Sequence, residues 1–325
     1  MKFRNYAIFF DGTRNDHSSE TNVWQLFQDL RRGDYRFKDE PDDFSTEAYY
    51  LSGPGTSADM SVVGGAFAKD LGDAIVDAYA WVCEKLINLH NANEDSEPLL
   101  YLFGFSRGAY RAHMFSWALN DLGIVLDYAK ARELARNWCE HNDECVESLL
   151  SQVRTMSAPK IKMLGVWDVV SAPLDRHKHY KDGICAPLVE HLYHAMAAHE
   201  RRVNFPVMKY PASEQMVEQV WFPGAHSDVG GGYPLKERCL SDVCLSWMKC
   251  HAVKLGLDFV HLSKKPPETL KASDIVKWHD EAICISKWFN LYNRSFEEGE
   301  SCHPILTSLM GQDKKYKPCL KGFAH

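Results

Sequence analysis

The sequence predicts an α/β fold: a mostly parallel sheet flanked by helices and carrying helical insertions. Short apolar runs alternate with longer amphipathic stretches, the change of period that marks strands alternating with helices. These runs end in polar turns built around glycine or aspartate, as at Asp11-Gly12 and Gly224. Hydrophobic residues make up 45% and charged residues 25% of 325 positions. That is an ordinary globular balance, which excludes disorder, collagen-like repeats and coiled coil.

Tyr6 to Phe10 reads as a buried strand running into the polar turn Asp11 to Asp16, and Asp34 to Glu47 as a charged connection. Ala48 to Leu51 is a second strand, ending at Ser52-Gly53-Pro54-Gly55. Ala66 to Leu89 has the pattern of a long helix, closed by the polar loop Asn91 to Pro98. Leu99 to Phe103 is a third strand, followed at once by Gly104 to Gly108 and a helix from about Arg107 to Leu122. Tyr128 to Val153 reads as an inserted pair of helices, and Lys160 to Val166 as a fourth strand ending at Trp167-Asp168. His191, His194 and His199 fall in a predicted helix with a mixed, solvated face. Val217 to Phe222 is a fifth strand, and Cys239, Cys244 and Cys250 share one helix. Ser263 to Asp274, with Pro266-Pro267, resembles a hinge. The expectation is one domain over 1–325, with a core at about 3–255 and an extension or lid over 256–325.

A net charge of −7 lacks the broad positive field of non-specific nucleic-acid binding, so no nucleic-acid partner is expected. No apolar run approaches the roughly 20 residues that span a bilayer. The run Ala7-Ile8-Phe9-Phe10 stops at Asp11, too short for the centre of a secretory signal. A cytoplasmic location is the expectation, and with it reduced thiols. The ten cysteines contain no C-x-x-C pair and fall far below disulfide-scaffold density. Asn293-Arg294-Ser295 matches a glycosylation sequon, which carries almost no weight without a signal peptide.

The strongest local signal is Gly104-Phe105-Ser106-Arg107-Gly108, set between an apolar strand and an amphipathic helix. That setting presents a serine at the tip of a strained elbow, above backbone N–H groups suited to a developing oxyanion. A serine nucleophile needs a base and a group that orients it. In α/β-hydrolases these follow in the order Ser, Asp/Glu, His. Asp168, after the fourth strand, and His226, in the glycine-rich loop after the fifth, stand in that order. Asp228 is the main rival for the acid, or else it braces its own loop as an Asx turn. Asp175, in a polar loop, is a weaker rival.

Asp11-Gly12-Thr13 should reach the same sheet edge. Either a backbone N–H of Gly12 or Thr13 joins that of Arg107 in an oxyanion hole, or Asp11 simply accepts backbone hydrogen bonds; both can hold. A second reading is a metal-dependent hydrolase using Asp11, His226 and Asp228, with His177, His179, His191, His194 or His199 as further ligands. No H-E-x-x-H or Cys/His zinc spacing appears, and Gly230-Gly231-Gly232 lacks the Walker ending. No metal and no cofactor are therefore expected. A third reading is a non-enzymatic interaction module on the same fold.

Phe9-Phe10-Asp11-Gly12-Thr13-Arg14-Asn15, Gly104-Phe105-Ser106-Arg107-Gly108-Ala109-Tyr110, Gly165-Val166-Trp167-Asp168 and Trp221-Phe222-Pro223-Gly224-Ala225-His226-Ser227-Asp228-Val229-Gly230-Gly231-Gly232-Tyr233 occur in this order. Together they resemble the α/β-hydrolase family of uncharacterised domains that includes type VI secretion phospholipase effectors, over roughly residues 3 to 255. The resemblance implies a serine esterase or lipase with Ser106, Asp168 and His226 as triad, acting on phospholipids or lipid-like esters. It leaves room for transient contact with a membrane surface, for signal-independent export if the chain is an effector, and for an immunity or delivery partner that no feature of the sequence itself supports. Where the family commonly reads Asp-Glu-Arg-Arg in a helix after the acid strand, this chain reads His199-Glu200-Arg201-Arg202. The loop Arg176-His177-Lys178-His179-Tyr180-Lys181 either meets an anionic headgroup or is simply solvated.

Overall fold

The structure is a computed structural model that describes residues 2–30, 44–55, 64–92, 95–171, 181, 183–211, 216–259, 278–279, 291, 293–312, 316 and 318–322. The first half of the chain runs β1 (Lys2–Phe10), α1 (Asn22–Asp29), β2 (Phe44–Leu51), α2 (Gly64–Asn91), β3 (Ser96–Phe105), α3 (Arg107–Leu122), β4 (Ile124–Val125), α4 (Tyr128–Cys139) and α5 (Asp143–Gln152). It continues with β5 (Thr155–Met156), β6 (Ile161–Trp167), β7 (His191–Ala197), β8 (Met216–Phe222), α6 (His226–Gly230) and α7 (Cys239–Lys254). The C-terminal part supplies β9 (Arg294–Ser295), β10 (Ser301–Cys302), α8 (Pro304–Gln312) and β11 (Leu320–Lys321).

Seven strands form one sheet in the order β10-β8-β7-β6-β3-β1-β2, with every pairing parallel. This is an α/β-hydrolase-like architecture. The strands read as unbroken apolar runs because both faces of the sheet are covered. Ile8, Phe10, Leu100 and Leu102 pack on one face against Tyr79, Val82 and Phe115 of α2 and α3. Ala7, Phe9, Tyr101 and Phe103 pack on the other against Val23 and Leu26 of α1 and Met248 of α7. Chain order reverses at β1, with β2 on one side and β3 on the other. In such sheets the crevice beyond the carboxyl ends at the reversal is where ligands bind.

Two elements depart from the sequence expectation. The segment read as a helix around His191 and His194 is the inner strand β7, between β6 and β8. Its histidines stand three apart, a helical spacing, but Leu192 to Ala197 are all buried, which an amphipathic surface helix would not allow. The run His199-Glu200-Arg201-Arg202 is accordingly the turn after that strand rather than a helix. Helix α1 was not expected. Thr21 caps it by accepting the Trp24 N–H at 3.2 Å, and Val23 and Leu26 are its buried face.

The C-terminal residues join the core. β10 adds to the sheet beside β8, while Leu306, Leu309 and Tyr316 pack on Met196 and Trp221. The predicted hinge, Ser263 to Asp274, lies outside the described residues. Cysteines among the described residues are free thiols, and no described helix is long and apolar enough to cross a membrane.

Candidate active site

β3 ends at Phe105 and α3 begins at Arg107, which leaves Ser106 alone in the turn at φ 59° and ψ −123°. A non-glycine residue there stores strain that the surrounding packing must hold. The Ser106 N–H donates to Trp167 O at 2.9 Å, tying the elbow to the end of β6. The flanking glycines are steric requirements. A Cβ on Gly104 would lie 2.5 Å from Gly108 O, and one on Gly108 would lie 2.2 Å from Phe10 O. Arg107 is the first residue of α3, where backbone N–H groups have no acceptor within the helix.

Asp168 follows β6 directly and is fully buried. Its Oδ2 lies 2.5 Å from His226 Nδ1, and its Oδ1 accepts the Ala197 N–H at 2.9 Å. The Arg294 guanidinium grips both oxygens, Nη1 donating to Oδ1 at 2.6 Å and Nη2 to Oδ2 at 2.9 Å. Burial alone would raise the Asp168 pKa; the Arg294 charge and the bond from His226 outweigh it and hold the carboxyl well below the usual range. With the carboxylate on Nδ1, the proton of neutral His226 sits there and Nε2 carries the lone pair. That Nε2 is buried and has no hydrogen-bond partner among the described residues. The ring is held by Phe105, at 4.6 Å between centroids, and by Phe205 at 5.0 Å. Buried Glu200 accepts the His226 N–H at 3.3 Å and is itself gripped by Arg202.

The remaining candidates fall into place around this centre. Asp228, the rival acid, bonds elsewhere: Oδ2 accepts Ala225 N and His279 N, both at 2.9 Å, and Oδ1 takes His279 Nδ1 at 2.7 Å. It braces the loop that carries His226. Asp175, His177 and His179 lie outside the described residues. Asp11 accepts from Gly12 N at 2.7 Å, Thr21 Oγ1 at 2.7 Å and Tyr50 Oη at 2.6 Å. The Gly12 N–H is thus committed to Asp11 rather than aimed at an oxyanion. Thr13 Oγ1 accepts from Arg107 Nη1 at 2.8 Å, which ties this loop to the start of α3.

Asp11, His226 and Asp228 are therefore not brought together as a ligand set, and no group of three or more metal-binding side chains gathers among the described residues. His194 is a buried brace whose Nε2 accepts the Val169 N–H at 3.2 Å while Nδ1 donates to Gln219 at 3.3 Å. His199 Nδ1 accepts the Gly224 N–H at 3.2 Å. Lys181, expected in a solvated or headgroup-facing loop, is instead buried and paired with Asp121 under Trp117.

Residues 4–251 match the family model described as T6SS, phospholipase effector Tle1-like, catalytic domain. The chain belongs to this Tle1-like family. The family is described as one of phospholipase effector catalytic domains of the type VI secretion system, that is, of lipid hydrolases. Among solved structures, the chain is similar to an uncharacterized protein from Pseudomonas aeruginosa, with a TM-score of 0.52, 19% identity, and coverage of 79% of this chain and 46% of that one. It is also similar to a structure of the Tle1 effector bound to the VgrG spike of the type 6 secretion system, with a TM-score of 0.46, 20% identity, and coverage of 74% and 53%. The chain thus spans about half the length of the solved structures it matches. No curated protein matches it. Sequence reasoning missed Arg294, Glu200 and His279; Arg294 also lies beyond the Tle1-like match.

Proposed function

We propose that this Tle1-like domain hydrolyses carboxylic esters of phospholipids, or of closely similar lipids, through Ser106, His226 and Asp168 and a covalent acyl-enzyme. The bond between Asp168 and His226 carries the reading. It orders the imidazole through Nδ1 and leaves Nε2 without a partner among the described residues, with the ring packed on Phe105, the residue before the strained Ser106. In the first step His226 Nε2 takes the proton of Ser106 Oγ as Oγ attacks the ester carbonyl carbon. The carbonyl π pair moves onto oxygen, and the Arg107 N–H, with that of Thr13, receives the oxyanion. Collapse breaks the bond to the alkoxy oxygen, which leaves as an alcohol with the proton from His226. Water then attacks the acyl-enzyme with His226 again as base, releasing a fatty acid and restoring Ser106.

Asp168 holds the tautomer and stabilises the imidazolium without taking its proton. Membership of an effector family supports delivery by a type VI apparatus and transient contact with a membrane surface. Intact-mass analysis after fluorophosphonate treatment tests the mechanism. One adduct is expected on the wild type and none on Ser106→Ala or His226→Ala. Folded wild type that stays unlabelled, with and without phospholipid micelles, would remove the serine mechanism.

A further inference from the structure

We propose that Arg294 is a positioning residue of the active site: it fixes the rotation of the Asp168 carboxylate and, through it, the ring of His226. The proposal rests on the serine mechanism above. Arg294 is 1% exposed, and the two nitrogens that grip Asp168 also donate to backbone, Nη1 to Ala197 O at 2.9 Å and Nη2 to Phe205 O at 2.8 Å. Four bonds from one planar guanidinium set its orientation completely. A bidentate fork then sets the plane of the carboxylate it holds, so Oδ2 faces His226 Nδ1.

The charge has a separate consequence. The other carboxylate at His226, Glu200, is paired with Arg202, so a lone Asp168 carboxylate is what would favour the imidazolium more strongly than one paired with Arg294. Paired with Arg294, Asp168 belongs to a neutral ion pair, so it orients the ring while adding less to its basicity. Arg294 comes from outside the Tle1-like match. Strand β9 presents it, held by pairing with β11 and by Lys209 Nζ donating to Ser295 O at 2.9 Å. The C-terminal residues would therefore complete the site from behind the acid, opposite in role to a lid over the serine.

The test uses the full chain and measures the rate constant of fluorophosphonate labelling at Ser106 across the pH range from acidic to alkaline. Wild type, Arg294→Gln and Arg294→Lys are compared, with circular dichroism to confirm folding. An unlabelled wild type would refute the serine mechanism itself, whereas a labelled wild type isolates the role of Arg294. In Arg294→Gln the acid limb should move up by about one pH unit or more, so the variant loses about tenfold more rate on the acid side than on the alkaline side. Arg294→Lys keeps the charge without the fork, so its limb should stay near that of wild type while its rate falls at every pH. A folded Arg294→Gln with an unmoved limb would overturn the proposal. Failure of both variants to fold would also overturn it, since Arg294 would then serve stability alone.

Discussion

Asp11 and Asp168 occupy equivalent places, each directly after a strand at the carboxyl edge of the sheet and each with no solvent exposure. Their ionisation is opposite. Burial pushes the Asp11 pKa up to about 6, although three donors bond to it. Asp168 lies well below the ordinary range because the charge of Arg294 and the bond from His226 are added to a similar set of bonds. Neutral donors soften the cost of burying a carboxylate, but a cation reverses it. One loop therefore holds a structural acid that titrates readily. The other holds a permanent anion, as the proposed triad requires.

The sharpest way to break this comparison is to remove the charge on each side. Asp168→Asn should slow Ser106 labelling by about 10³–10⁴-fold, through loss of the correct tautomer. Asp11→Asn should leave it within about tenfold of wild type. Equal losses would mean that the two loops do the same work. The next effect is on stability. Breaking a buried ion pair leaves an uncompensated charge, so Arg294→Gln should cost about 3–5 kcal/mol in urea unfolding near neutral pH. Thr21→Val, which removes a neutral donor to Asp11 together with the cap on α1, should cost about 1–2 kcal/mol. A Thr21 cost as large as that of Arg294 would show that charge is not what separates the sites.

The two acids also differ in how much of their surroundings was legible in the sequence. The Asp11 turn, the Ser106 elbow and the positions of Asp168 and His226 follow from local grammar, an apolar run ending in a glycine-bearing turn at a sheet edge. Helix α1 was available by the same means, since Thr21 precedes Val23, Leu26 and Phe27 at helical spacing. Strand β7 is masked in the sequence because the three-residue spacing of His191 and His194 imitates a helical face. Only the tertiary neighbours β6 and β8 reveal that His194 is buried and satisfied. Arg294 had no local signal beyond a sequon, because its contact with Asp168 spans 126 residues and is made by docking. The Asp11 environment is built from nearby chain, whereas that of Asp168 is assembled from across the fold.

On the Asp168 side, His194 provides a further brace through Val169, and burial lowers its pKa from 6.5 to about 4. The unfolded chain therefore takes up this proton first as pH falls. The contribution of His194 is complete above about 6.5 and is lost progressively down to about 4. His194→Gln retains an acceptor for Val169 and a donor for Gln219 but does not titrate. Between about pH 7 and 5 the variant should lose roughly 2 kcal/mol less stability than wild type. Parallel losses in urea titrations at the two pH values would show that His194 takes up its proton equally in the folded and unfolded chains.

Asp11 runs in the opposite direction, and the smallest effect isolates it. Its folded pKa, about 6, exceeds the ordinary 3.8, so the folded state binds this proton more tightly than the unfolded one. That stabilisation is complete below about 3.8 and is lost as pH rises through about 6. The Tyr50 hydroxyl lowers the Asp11 pKa by donating to Oδ2, so it matters most once the carboxylate is charged. Tyr50→Phe should accordingly cost about 1 kcal/mol more near pH 8 than near pH 5. An equal cost at both would mean that Asp11 keeps one ionisation state across this range. If that equal cost is the larger one, Asp11 is a carboxylate at both pH values like Asp168, and the proposed contrast between the two loops disappears.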